Sequence, residues 1–115
     1  MHSSAMLSRE LIAASTEPLV LTLLSNGENY GYELIQEVKR LSAEKIEWTD
    51  GMLYPVLHRM EQKGWIQSRW REAESGRRRK YYSIQRSGTK ALKEQREQWM
   101  TVSSVFKQLW EEEYV

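Results

Sequence analysis

The hydrophobic period changes twice along this chain, and few folds accommodate both changes. Up to about residue 64 the apolar residues recur every three or four positions, as on amphipathic helices. From Trp65 to Ile84 the pattern shortens toward alternation, as on strands, and from Ser87 onward the long period returns. A helical block, a hairpin and a last helix are therefore expected in that order.

Within the first block, Leu11, Ile12, Leu19, Val20, Leu23 and Leu24 follow helical spacing, interrupted by Pro18. Either one kinked helix spans Leu7 to Leu24, or "STEP" starts a second with Thr16 as its cap and Glu17 and Pro18 in its first turn. Asn26-Gly27 closes the element, with Gly27 as a left-handed C-cap. Tyr30, Leu34, Ile35 and Val38, with Leu41 beyond, form the stripe of a second helix, and Gly31 at its start leaves room for close packing. "KIEW" reads as a short extended segment. A third helix runs "DGMLYPVLHRMEQKG", capped by Thr49 and stopped by Gly64, with Leu53, Val56, Leu57 and Met60 inward and a bend expected at Pro55.

"WIQSRW" and "KYYSI" are the two strands, joined through a Ser75-Gly76 turn. Ser87 is the expected cap of the last helix. Its apolar positions Leu92, Trp99, Val102, Phe106 and Leu109, with Gln95 filling the gap, approach a heptad seam. The fold class that results is mainly α with a β-hairpin wing: a winged helix-turn-helix plus a long C-terminal dimerisation helix. The expected division is a tag-like remnant over 1–5 ("MHSSA"), the winged domain over 6–86 and the dimerisation helix over 87–115.

Charge narrows the function. The formal net charge is only +1, yet residues 64–98 hold ten basic groups against four acidic ones. A local positive field of that kind suits a polyanion. In a winged helix the third helix enters the DNA major groove, so Thr49, Asp50, Gly51 and Tyr54 at its start and Arg59 and Lys63 further on are the candidate DNA contacts. Arg77, Arg78, Arg79 and Lys80 join them from the wing. On a strand these four alternate, Arg77 and Arg79 facing one way and Arg78 and Lys80 the other. Each candidate also has a plainer role: Thr49 as a cap alone, Tyr54 as packing, Arg59 and Lys63 as solvated charges.

The apolar stripe of the last helix is too long for three small helices to cover. Pairing with a second copy buries it and gives the twofold symmetry a palindromic operator requires; folding back on its own domain is the alternative. Trp99, with Phe106 and Trp110, either fills the dimer core or lines a cleft for a small planar apolar ligand.

Cysteine is absent, which excludes disulfides, thiolate metal sites and a cysteine nucleophile. His58 stands without a nucleophile, an acidic pair or a glycine-rich phosphate loop, so no enzyme, cofactor or metal is expected. No apolar run reaches the length of a membrane span, and a cytoplasmic, nucleoid-associated protein is expected.

"NGENYGYEL", "DGMLYPVLHRMEQKGWI", "GRRRKYYSIQRSG" and the tryptophan of "REQW" together resemble the PadR family of transcriptional regulators, in its short branch with a single C-terminal helix. The resemblance implies a bacterial dimeric repressor, in some members relieved by a small molecule. It maps the family's "GxLYPxL" segment to Gly51, Leu53, Tyr54, Pro55 and Leu57, its basic wing to Arg77–Lys80 and its paired tyrosines to Tyr81 and Tyr82. It maps a ligand-stacking tryptophan to Trp99. Gln85 departs from the family's usual threonine. Two other readings stand beside it: a winged-helix protein-interaction module, and a small-molecule sensor that does not read DNA directly.

Overall fold

The computed structural model describes residues 7–113; the expected remnant over 1–5 lies outside them. Helix α1 (Arg9–Leu24) leads into a two-residue strand β1 (Asn29–Tyr30), then α2 (Gly31–Leu41) and α3 (Asp50–Gln62). The hairpin β2 (Ile66–Glu72) and β3 (Arg78–Ile84) follows, and α4 (Arg86–Glu113) completes the chain. The winged helix-turn-helix order read from the sequence is the order observed.

Both prolines lie inside uninterrupted helices. Each removes the bond to the carbonyl four residues back, and those carbonyls belong to the exposed residues Ala14 and Gly51, where water can replace the lost donor. Packing then holds the helix: Val20, Leu21 and Leu24 beyond Pro18, and Val56, Leu57 and Met60 beyond Pro55, are buried. One α1 thus replaces the two short helices that "STEP" allowed. Its cap is Ser8, whose hydroxyl accepts from the Leu11 N–H. Thr16 is no cap; it is buried mid-helix and donates to the Ile12 carbonyl at 2.6 Å. Gly27 has a φ of +139°, positive as expected but outside the left-handed helical well.

"KIEW" forms no ladder. Ile46 and Trp48 are buried and Glu47 is exposed, so the extended alternation is real but has no strand beside it. The third strand is instead β1, paired antiparallel with β3 through Asn29↔Tyr82 and Tyr30↔Tyr81, giving the sheet order β1-β3-β2. Leu41 is also corrected: it ends α2 and is 59% exposed. The chain escapes α2 through Ala43 and Glu44, both in the left-handed region with φ of 53° and 67°.

The core is the meeting of the three helices with the base of the sheet: Leu21, Leu34, Leu53, Leu57 and Met60 against Ile66 and Tyr82. The start of α4 closes it with Ala91 and Leu92. Ser87 is not the cap expected. The helix begins one residue earlier, and the Ser87 hydroxyl donates instead to the Gly64 carbonyl at 2.6 Å. Gly88 lies under the Trp65 carbonyl, and a β-carbon there would sit 2.9 Å from both the Trp65 carbonyl carbon and Ile84 Cγ1. This contact sets α4 against the foot of the hairpin.

Candidate nucleic-acid interface

Tyr54 of α3 and the wing share a groove of 640 Å³. From the helical side come Tyr54 and Tyr32; from the wing come Trp70, Arg77, Arg78, Arg79, Lys80 and Tyr82; Tyr30 of β1 closes one end. Two sequence features build it. Thr49 has extended backbone and its hydroxyl accepts from the Met52 N–H, so α3 starts with its first turn exposed. Gly31, the first residue of α2, has no side chain, and the Tyr54 ring occupies that space: a β-carbon on Gly31 would lie 2.8 Å from Tyr54 Cζ. Tyr54 is therefore both packed and presented. Burial, then the nearby Asp50 carboxylate, raises its pKa, so its phenol stays protonated as a donor.

The hairpin register is Ser68↔Tyr82, Arg69↔Tyr81, Trp70↔Lys80 and Arg71↔Arg79. Alternation along it separates two faces. On one, Arg78 lies 5.5 Å from the Trp70 ring, and Lys80 lies 5.7 Å from the Tyr82 ring and 3.9 Å from the Glu61 carboxylate. On the other, Arg79 stacks 4.4 Å over Tyr30 and donates to its hydroxyl at 2.9 Å, while Arg71 stacks 4.5 Å over Tyr81. Arg77 precedes the strand and lies in the tip turn, where Gly76 has a φ of 85°. Arg78 and Lys80 thus keep different partners from Arg79, although all three line the groove.

The remaining sequence candidates divide by position. Asp50 and Gly51 are exposed in the first turn of α3, and a β-carbon on Gly51 would meet nothing, so no intramolecular contact demands glycine there. Arg59 is exposed and makes no ion pair among the described residues. Lys63 lies at the far end of α3, pairs with Glu17 at 3.1 Å and stacks 4.2 Å over Trp65; it is tied to α1 rather than brought to the groove.

Several participants were not singled out from the sequence. Tyr32 and Trp70 are 61% and 59% exposed and line the groove directly. Trp70 was legible only as a strand residue. Tyr32 sits off the buried stripe of its helix, and an exposed aromatic beside a glycine was the available signal. Glu28 and Glu61, which hold wing cations, left no signal because their partners are distant in sequence. Tyr82, buried at the base of the groove, has its pKa raised to about 12 by desolvation and by Glu61.

Away from the groove, α4 leaves the body. Leu92 is buried in the chain's own core, so the exposed stripe begins at Trp99 rather than at Leu92. Trp99 is 39% exposed, Phe106 45% and Leu109 55%, with Val102 and Trp110 also exposed. Phe106 and Trp110 stack in parallel at 4.7 Å and 4°, and with Trp99 they flank an apolar concavity of 570 Å³. Gln95 Oε1 is buried with no partner among the described residues.

Three packed helices, an exposed third-helix N-terminus and a cation-bearing hairpin define a winged helix-turn-helix protein. The chain belongs to the transcriptional regulator PadR-like family, whose model matches residues 20–94. It is similar to a PadR-like transcriptional regulator of Bacillus cereus, 29% identical, with a TM-score of 0.78 over 87% of this chain and 95% of that one. It is likewise similar to a PadR family transcription regulator of Clostridium difficile, 30% identical, with a TM-score of 0.72 over 83% and 97%. An uncharacterised protein of Lysinibacillus sphaericus is 28% identical over 87% of this chain and 92% of its own length. Membership in a family of transcriptional regulators makes the chain a regulator and not an enzyme. Among the described residues no helix is long and apolar enough to cross a membrane.

Proposed function

We propose that this chain is a homodimeric, sequence-specific repressor of the short PadR branch, released from a palindromic operator by a small planar apolar effector. The groove shared by Tyr54 and the Arg77–Lys80 run carries the DNA reading, because one surface joins the part of a helix that reaches base edges to cations that neutralise phosphates. Thr49, Asp50, Gly51 and Tyr54 enter the major groove, with Arg59 following along the helix. Arg77 and Arg78 meet the backbone or minor groove beside it, with Arg79 and Lys80 supporting them. Lys63 contributes least, since Glu17 already holds it.

Dimerisation rests on the uncovered stripe of α4. Trp99, Val102, Phe106 and Leu109 are exposed in the single chain, which argues against folding back on its own domain. Pairing two such helices buries them. The stacked Phe106–Trp110 pair and Trp99 make the effector surface, so an occupant there changes the spacing of the two recognition helices. The regulator acts on DNA of the cytoplasmic nucleoid.

Selection of bound sequences from random duplexes tests this. A palindromic motif is expected, together with a salt slope of roughly −5 to −6 if a dimer neutralises about six phosphates. Recovery of no motif, with no salt-dependent affinity for any duplex, overturns it in favour of a protein-interaction module. Quenching of tryptophan fluorescence by planar aromatic compounds, lost in Trp99→Ala with the dimer intact, tests the effector surface.

A further inference from the structure

The hairpin carries six cations, Arg69, Arg71 and Arg77 to Lys80, against two acidic groups of its own, Glu72 and Glu74. They are not equally free. Arg69 Nη2 donates to both carboxylate oxygens of Glu28 at 3.2 Å, and Arg71 donates to the same carboxylate. Glu28 immediately precedes β1, which is paired to β3, so its backbone is anchored on the far side of the central strand from both arginines. The Arg71 guanidinium lies over the Tyr81 ring, on the strand between them. Arg79 is tied to the same segment through Tyr30, whose hydroxyl in turn donates to Glu33 at 3.3 Å. One face of the wing is thus bound to the body, while Arg77 and Arg78 pair with no carboxylate among the described residues.

We propose that Glu28 is a specificity-determining residue: it withholds Arg69 and Arg71 from DNA phosphates and so holds down the non-specific, salt-dependent part of binding. The inference rests on the DNA reading above. Exposed ion pairs add little to stability, and Arg69 is 68% exposed, so folding alone gives a weak reason for one carboxylate to hold two arginines. Binding to DNA is different, because each cation committed to a phosphate releases counterions and steepens the salt dependence. A phosphate drawing Arg69 or Arg71 from Glu28 leaves that carboxylate unpaired beside the DNA backbone, where like charges repel. Sequence reading at α3 is untouched, so weaker background binding widens the ratio of specific to non-specific affinity. The Glu28 pKa is lowered, first by the Arg69 hydrogen bond, so the carboxylate stays charged through the neutral range.

The test measures affinity for a random duplex against salt concentration for the full-length protein, Glu28→Gln, Arg69→Gln/Arg71→Gln, and the triple variant. Glu28→Gln is expected to steepen the slope by about 1 to 2 per protomer and to tighten binding severalfold at moderate salt. The arginine pair replaced in the otherwise unchanged protein is expected to alter the slope by less than about half a unit, and in the triple variant to return it to the starting value. An unchanged or shallower slope for Glu28→Gln, with helical content intact, overturns the proposal; a shallower one identifies Glu28 as a brace for the wing. If the unmodified protein has no salt-dependent affinity for duplex, the DNA reading fails, and elution from heparin still decides the role of Glu28. Later elution of Glu28→Gln than of the unmodified protein supports it, and equal or earlier elution overturns it.

Discussion

Two glycines show how a missing β-carbon does different work depending on what fills the space. Against Gly31 stands the far end of a tyrosine, which can swing aside; against Gly88 stands the backbone of Trp65, which cannot. Gly88→Ala is therefore expected to cost about 3 kcal/mol in chemical denaturation, by prising α4 from the foot of the hairpin. Gly31→Ala is expected to cost under about 1 kcal/mol while displacing Tyr54, so operator affinity falls more than stability does. Tyr82 gives a pH signature. Its folded pKa of about 12 lies above the ordinary tyrosine value, so the folded state keeps a proton that the unfolded chain loses. Its contribution is complete below pH 10 and is lost as pH rises toward 12, by about 2 kcal/mol, and Tyr82→Phe should flatten that alkaline decline in thermal melts.

Among the elements, the connection from α2 to α3 stores the clearest strain. Ala43 and Glu44 both hold left-handed backbone, which costs a residue with a β-carbon about 1 kcal/mol, and both side chains are exposed. Glu44→Gly is expected to stabilise the protein by roughly 0.5 kcal/mol, the gain being partly offset by the entropy of the unfolded chain. A lower midpoint in urea would show that the Glu44 side chain contributes more than its backbone loses. At the head of α3, Thr49→Ala removes the bond from Met52 N–H and should cost about 1 kcal/mol. The helices themselves were legible from sequence because apolar spacing is a local property. Leu53, Val56, Leu57 and Met60 are buried as their positions require. The strand β1 was not legible, since two residues cannot display a period and their pairing is fixed by Tyr81 and Tyr82 far along the chain.

For the whole molecule, the long α4 matters through what it leaves uncovered. Phe106→Glu is expected to give a monomer in sedimentation, and the salt slope on duplex should fall to about half because one wing instead of two meets the DNA. A dimer that survives this change would move the interface off the Trp99–Leu109 stripe. The order of the elements, the burial stripes of the helices, the positive hairpin and the apolar reach of α4 were all set locally, because each is a pattern of near neighbours. Packing in three dimensions chose which charges are held. Glu28 finds Arg69 and Arg71 at separations of 41 and 43 residues, and Lys63 finds Glu17 at 46. It likewise decided that Leu92 joins the core, that Thr16 sits inside a helix, and that Tyr54 rests on Gly31. The physical reason is common to all of them: a periodic pattern fixes which way a side chain points along its own element, whereas the group it meets is chosen by how the elements pack.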